Sequence, residues 1–191
     1  MTNRAVVIGA SAGAIEALSK LLPALPAKYP WPILLVVHVP PDTRSALPEL
    51  FAPKCRIAVK EAEDKEKLRP GVAYFAPPNY HLLVETDGAL ALSSEEPELF
   101  SRPSINVLFD SAADAFGSDV VGVILTGASA DGAEGLRKIR AAGGMALAQD
   151  PKTAQCPAMP EAALAACPGA RAMGLAELAA LLASLPEEGA A

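Results

Sequence analysis

The first eighteen residues constrain this chain more than any other stretch. Ala5 to Ile8 read as a buried strand, Gly9-Ala10-Ser11-Ala12-Gly13-Ala14 as a tight turn of small residues, and the pattern from Ala14 onward as a helix. Ile15, Leu18, Leu21 and Leu22 recur at the spacing of one helical face before Pro23 and Pro26 end the pattern. Ser11 therefore falls in the turn at a helix N-terminus. Unpaired backbone N–H groups and the positive end of the helix dipole favour negative charge there, either a bound phosphate or an oxyanion formed during acyl transfer.

Three chemistries compete for such a turn. A dinucleotide-binding turn also follows a first strand, but the third glycine of G-x-G-x-x-G is absent, since Ile15 and Glu16 occupy the helix start. The next strand, Ile33 to Val37, ends at His38 where that fold places an acidic ribose ligand. The Tyr-x-x-x-Lys pair of short-chain dehydrogenases is missing as well, because Tyr29, Tyr74 and Tyr80 have no lysine four residues on. Gly9, Ser11 and Gly13 also spell G-x-S-x-G, the nucleophile elbow of α/β-hydrolases, but that motif lies deep in its chain with acid and then histidine after it, and here no histidine follows residue 81. The third chemistry is a serine nucleophile whose partners arrive in the order Ser, His, Asp.

Bulk properties narrow the partners. A chain of 191 residues with 51% hydrophobic content fills one domain, so a single unit over 1–191 is expected, with the tail from Pro186 to Ala191 disordered. Net charge of −6 excludes nucleic acid and an anionic membrane surface in the absence of a basic patch, and Lys65, Lys67 and Arg69 are interleaved with acids. Cys55, Cys156 and Cys167 lack metal-ligand spacing and read as reduced thiols. No apolar run approaches the ~20 residues needed to span a bilayer, and a cytoplasmic protein without a metal is expected.

Along the chain, Ile33 to Val37 reads as a central parallel strand, stopped by Pro40 and Pro41 just after His38. A short helix is expected from Thr43 to Phe51, a strand over Arg56 to Lys60, and a solvated turn over Glu61 to Arg69. Val72 to Phe75 and His81 to Glu85 read as strands, and Asp87-Gly88 turns a hairpin into Ala89 to Leu92, an antiparallel excursion in which His81 has a structural role. Ser104 to Phe116 has clear helical periodicity, with Asp110 and Asp114 on its solvated side. Asp119 to Leu125 is the next strand and ends in Thr126-Gly127-Ala128-Ser129-Ala130-Asp131-Gly132; a helix then runs to Ala142, with Asp131 placed to cap it. Met145 to Gln149 is a strand, a loop runs to Pro160, and helices end near Pro168 and Leu185. Strands alternating with helices predict an α/β fold: a doubly wound, mostly parallel sheet in three layers, with the hairpin as excursion.

Ser11, His38 and Asp131 thus stand at the C-terminal ends of predicted parallel strands, whose loops converge on one edge of a sheet. A serine nucleophile needs an imidazole to take its proton, and the imidazole needs a carboxylate to hold its tautomer and stabilise the imidazolium. Residue chemistry alone leaves the acid open, because Asp150 also ends a strand and Asp42 is close to His38 in sequence.

The sequence resembles the catalytic domain of the CheB protein-glutamate methylesterases of bacterial chemotaxis, from about Val6 to Leu164. The matching stretches run in order: Ile8 to Ser11; His38 with its proline pair and Thr43-Arg44-Ser45; Ala62-Glu63-Asp64 before Pro70-Gly71; Ala76 to Asn79 with His81-Leu82; Arg102 to Phe109; Leu125-Thr126-Gly127 with Asp131-Gly132-Ala133; and Ala148 to Pro151 with Met159-Pro160. The resemblance implies that Ser11, His38 and Asp131 form the catalytic triad, that backbone N–H groups of Ala128 and Ala12 hold the oxyanion, and that no metal or organic cofactor is used. It implies hydrolysis of glutamate γ-methyl esters on methylated chemoreceptor cytoplasmic helices, with release of methanol, and glutamine deamidation by the same groups. Arg44 and Arg102 are expected to attract those acidic helices.

The chain departs from the family pattern in places. Ala14 replaces the last glycine of the nucleophile turn, Val37 stands where glutamine often precedes the histidine, and Ala128 replaces a methionine. Family members usually carry an N-terminal receiver domain, whereas this chain begins a few residues before its first strand; a stand-alone enzyme, one controlled by a separate regulator, or an excised domain is expected, and Met1 favours the first. The alternative function is a catalytically idle interaction module in a receptor signalling array, which Ala14 keeps open.

Overall fold

The structure, a computed structural model, describes residues 4–39 and 45–185. Arg44, Asp42, the start of the expected 43–51 helix and the 186–191 tail lie outside the described residues. A seven-stranded sheet forms the frame, in the order β3-β4-β2-β1-β7-β8-β9, and every pair in it is parallel. Its strands are β1 (Ala5–Ala10), β2 (Ile33–Val37), β3 (Ala58–Glu61), β4 (Val72–Phe75), β7 (Val120–Ile124), β8 (Met145–Gln149) and β9 (Arg171–Met173). The antiparallel hairpin is β5 (His81–Val84) with β6 (Leu90–Ser93) alone; Val72–Phe75 belongs to the parallel sheet.

Residues in β1, β2, β4 and β7 are buried throughout, as expected of strands covered on both faces. Alternate side chains feed two cores. Val6 and Ile8 pack with α1 (Ala14–Leu21), α2 (Leu47–Phe51) and α6 (Leu175–Ala183); Ala5 and Val7 pack with α3 (Ile105–Phe116), α4 (Ala133–Ala141), α5 (Ala158–Ala166) and the hairpin. The result is the expected three-layer arrangement. None of the described helices is long and apolar enough to cross a membrane.

Several expectations needed correction. The buried face of α1 is Ala14, Ala17, Leu18 and Leu21, while Ile15 is 53% exposed, because the helix turns its first residue, not its second, onto the sheet. Helix α5 starts at Ala158, with Pro160 in its first turn, where a missing N–H is harmless. Strand β9 was not anticipated; three residues with two exposed side chains carry too little pattern. Asp110 is not merely solvated, since it forms an ion pair with Lys138 across α3 and α4.

The sheet order reverses around β1, which has β2 on one side and β7 on the other, so the crevice at the carboxyl ends of these strands is the topological switch point. Register brings the three ends level: Ala10 pairs with Val37 and Gly9 with Ile124. The ladder continues one step into the loops, with His38 N–H donating to Ala10 O at 3.1 Å and Ser11 N–H to Thr126 O at 2.9 Å.

Candidate active site

Ser11 leaves β1 one residue past its end and is half-buried. The turn that carries it closes by Ala14 N–H donating to Ser11 O at 3.0 Å. Gly13, the helix N-cap, has φ +86°, and a Cβ there would lie 2.9 Å from both Gln155 Cβ and Thr126 Cγ2. Only glycine fits. Ala14 is the first residue of α1, absent from the positive-φ positions and 3% exposed, so alanine suits the site where the family's glycine stands.

His38 and Ser11 line one cavity of about 480 Å³, together with Val37, Val39, Leu47 and Gln155. A second cavity of about 370 Å³ is also lined by His38, together with Asn79, Phe100 and Arg102. His38 Nε2 lies 2.8 Å from Asp131 Oδ2, with side-chain exposures of 15% and 0%. A carboxylate accepts, so Nε2 carries the proton and Nδ1 is the nitrogen left to act as base.

Asp131 is held from four directions. Besides His38, its oxygens accept Ser104 Oγ–H at 2.9 Å, Ile105 N–H at 2.7 Å and Asn106 N–H at 2.9 Å. Burial pushes its carboxyl upward, but the bonds from His38, Asn106 and Ile105 outweigh it and the pKa lies below the usual aspartate value. The expected capping role is therefore corrected: Asp131 caps α3, not its own helix, whose N-cap is Gly132. The N-terminus of α4 is served instead by Asn106, whose Oδ1 accepts Gly132 N–H and Gly135 N–H at 3.0 and 2.9 Å.

Sequence reasoning gave no role to Ser104 or Asn106 in holding Asp131. The Ser-Ile-Asn run at a helix start was the available signal, since Ser is a frequent N-cap. His81 is structural as expected: its Nδ1 accepts Ser104 N–H at 3.1 Å and its Nε2–H meets Glu96 O at 3.1 Å. Ala12 and Ala128 are exposed residues, and their N–H groups have no acceptor among the described residues. Arg102 Nη1 donates to Ser94 O and Glu95 O at 2.9 and 3.0 Å, so its guanidinium ties down its own loop at the cavity edge. Asp150 accepts Lys152 N–H at 3.0 Å as a local turn cap. No cluster of three or more acidic, Cys or His side chains able to hold a metal occurs among the described residues.

The chain is 43% identical over 187 residues to a protein of Leptospira interrogans named as a protein-glutamate methylesterase/protein-glutamine glutaminase, covering 98% of this chain and 97% of that one. It is 44% identical over 168 residues to protein-glutamate methylesterase/protein-glutamine glutaminase 2 of Cupriavidus pinatubonensis, of which it spans 47%. The crystal structure of the Thermotoga maritima CheB methylesterase catalytic domain superimposes with a TM-score of 0.89 at 30% identity, over 96% of this chain and 98% of that one. Residues 6–182 match the family model for CheB methylesterase, and the chain belongs to that family of hydrolases.

Proposed function

We propose that this protein hydrolyses glutamate γ-methyl esters on the cytoplasmic helices of chemoreceptors, with Ser11 as nucleophile, His38 as general base and acid, and Asp131 as its buried partner. The observation that carries the reading is the 2.8 Å contact between His38 Nε2 and a carboxylate with no exposure to solvent, with Ser11 in the same cavity as the ring. His38 Nδ1 takes the Ser11 hydroxyl proton as Oγ attacks the ester carbonyl. The tetrahedral oxyanion is held by the unengaged N–H groups of Ala12 and Ala128. Its collapse expels methoxide, which receives the proton from His38 and leaves as methanol. Water then attacks the acyl-serine by the same proton route and frees the glutamate.

Amide and ester pass through the same intermediate, so glutamine side chains are a second substrate, released as glutamate and ammonia. The chain acts in the cytoplasm and needs no metal or organic cofactor, and the positive charges of Arg44 and Arg102 attract its acidic substrate. The test is mass analysis of a methyl-esterified receptor cytoplasmic fragment after incubation: esterified glutamates are expected to return to the free acid with the native protein and not with Ser11→Ala. Retention of every ester with the native protein contradicts the reading.

A further inference from the structure

Thr126 stands two residues past the end of β7 and is 1% exposed, yet it is polar, and none of its hydrogen-bonding groups is idle. Its N–H donates to Gln149 Oε1 at 3.0 Å and its carbonyl accepts Ser11 N–H at 2.9 Å. Its hydroxyl oxygen accepts Cys156 N–H at 2.9 Å. The single hydroxyl proton has two acceptors in reach, Ala12 O at 2.8 Å and Cys156 O at 3.3 Å. Cys156 O already receives Gly127 N–H at 3.0 Å, so the shorter bond to Ala12 takes the proton.

These bonds fall on the nucleophile's turn in a particular way. The peptide before Ser11 is fixed through its N–H to Thr126 O. The peptide after Ala12 is fixed through its carbonyl to Thr126 Oγ. Between them, the Ser11–Ala12 peptide is fixed through Ser11 O and Ala14 N–H. The Ala12 N–H belongs to this middle peptide and, like the neighbouring Gly13 N–H, has no protein acceptor among the described residues.

We infer that the Thr126 hydroxyl is a positioning group for catalysis: by clamping the Ala12 carbonyl it aims the Ala12 N–H at the oxyanion formed on Ser11. This rests on the proposed role of Ser11. Thr126 itself touches no substrate. Aim matters because a preorganised donor acts at the site where charge develops, and displacement of a reacting group by about 1 Å can cost ~10²-fold in rate.

The experiment compares native protein, Thr126→Val and Thr126→Ser in three readouts: kcat and KM on the methyl-esterified receptor fragment, the rate of Ser11 labelling by a phosphonofluoridate, and the melting temperature. Thr126→Val keeps the shape and loses the hydroxyl; kcat and labelling are expected to fall together by ~10²-fold with KM little changed. Thr126→Ser keeps the hydroxyl and loses the methyl packed on Gly13; it is expected to melt lower and to turn over at nearly the native rate. A Val variant as fast as native, or a Ser variant as slow as the Val variant, overturns the inference. Should the Val variant fail to fold, the Ser variant decides: near-native turnover upholds the hydroxyl's role, and a loss of about tenfold or more overturns it. A native protein that is labelled at Ser11 but returns no ester to acid overturns the substrate assignment and leaves the labelling rates to judge Thr126; a native protein that is never labelled overturns both.

Discussion

The Asp131 carboxylate accepts the Asn106 backbone N–H at 2.9 Å, while the Asn106 side-chain oxygen accepts the N–H groups of Gly132 and Gly135 at 3.0 and 2.9 Å. Each residue thereby caps the helix to which the other belongs. Asp131 needs no further orienting group, because the N-terminus of α3 already fixes both of its oxygens, and the helix dipole favours its charge. Asn106 completes the lock through its Nδ2, which donates to Glu98 at 2.7 Å.

Asn106→Leu removes both caps on α4 at a buried site. The cost expected is about 1–3 kcal/mol of stability, from buried N–H groups left without an acceptor. Chemical denaturation checks it. Turnover is expected to fall as well, since the Gly132 N–H beside Asp131 loses the acceptor that anchors the loop carrying the carboxylate, although the backbone N–H to Asp131 is kept.

Asp131 also sets a pH dependence. Its folded pKa lies below the ordinary value, so its ionised form stabilises the fold above the ordinary carboxylate range, and that contribution is lost as pH falls through the depressed folded value. Urea unfolding from about pH 7 down to about pH 3 should show the native protein losing more stability than Asp131→Asn, which has no proton to gain. Equal slopes for the two proteins contradict the assignment of Asp131 as a buried, hydrogen-bonded carboxylate.

The two histidines are expected to separate function from stability. His38→Ala abolishes measurable ester hydrolysis, because the other ionisable side chain lining the cavity beside Ser11, Glu16, is a solvent-exposed carboxylate paired with Lys20 and lacks the buried Asp131 partner. His81→Ala instead leaves the buried Ser104 N–H without its acceptor and lowers stability by about 1–3 kcal/mol. Parallel turnover assays and thermal melts of the two variants check the contrast.

Position 13 and position 14 of the nucleophile turn should respond in opposite ways. Gly13→Ala forces a Cβ into φ +86° and to within 3 Å of Thr126 and Gln155, so the turn shifts and activity is lost with at least ~1 kcal/mol of stability. Ala14→Gly restores the family's residue within a helix, where glycine costs roughly 0.5–1 kcal/mol, and no gain in turnover is expected. Kinetics and melting curves for both variants test this. A faster Ala14→Gly enzyme shows that Ala14 restrains the turn.

Much of this was legible in the sequence because local pattern and global fold agree there. The apolar runs of β1, β2 and β7 each end in small or polar residues, and a parallel sheet places such ends on one edge, which brings Ser11, His38 and Asp131 to the same crevice. The partner of Asp131 was legible only in part: local spacing points to a cap on its own helix, whereas the observed cap joins residues separated by a strand and a helix. Thr126 was hidden for the same reason, as its partners Ala12, Gln149 and Cys156 are far from it in sequence. Strand β9 escaped because an edge strand with exposed side chains has no apolar alternation to read.

The most direct test is methanol release from a methyl-esterified chemoreceptor cytoplasmic fragment, measured with the native protein and with Ser11→Ala side by side. Loss of the nucleophile of a serine triad costs on the order of 10⁶ in turnover, so release by the native protein and background release by the variant are expected. Equal release by both, at background or above it, contradicts Ser11 as the nucleophile of a methylesterase.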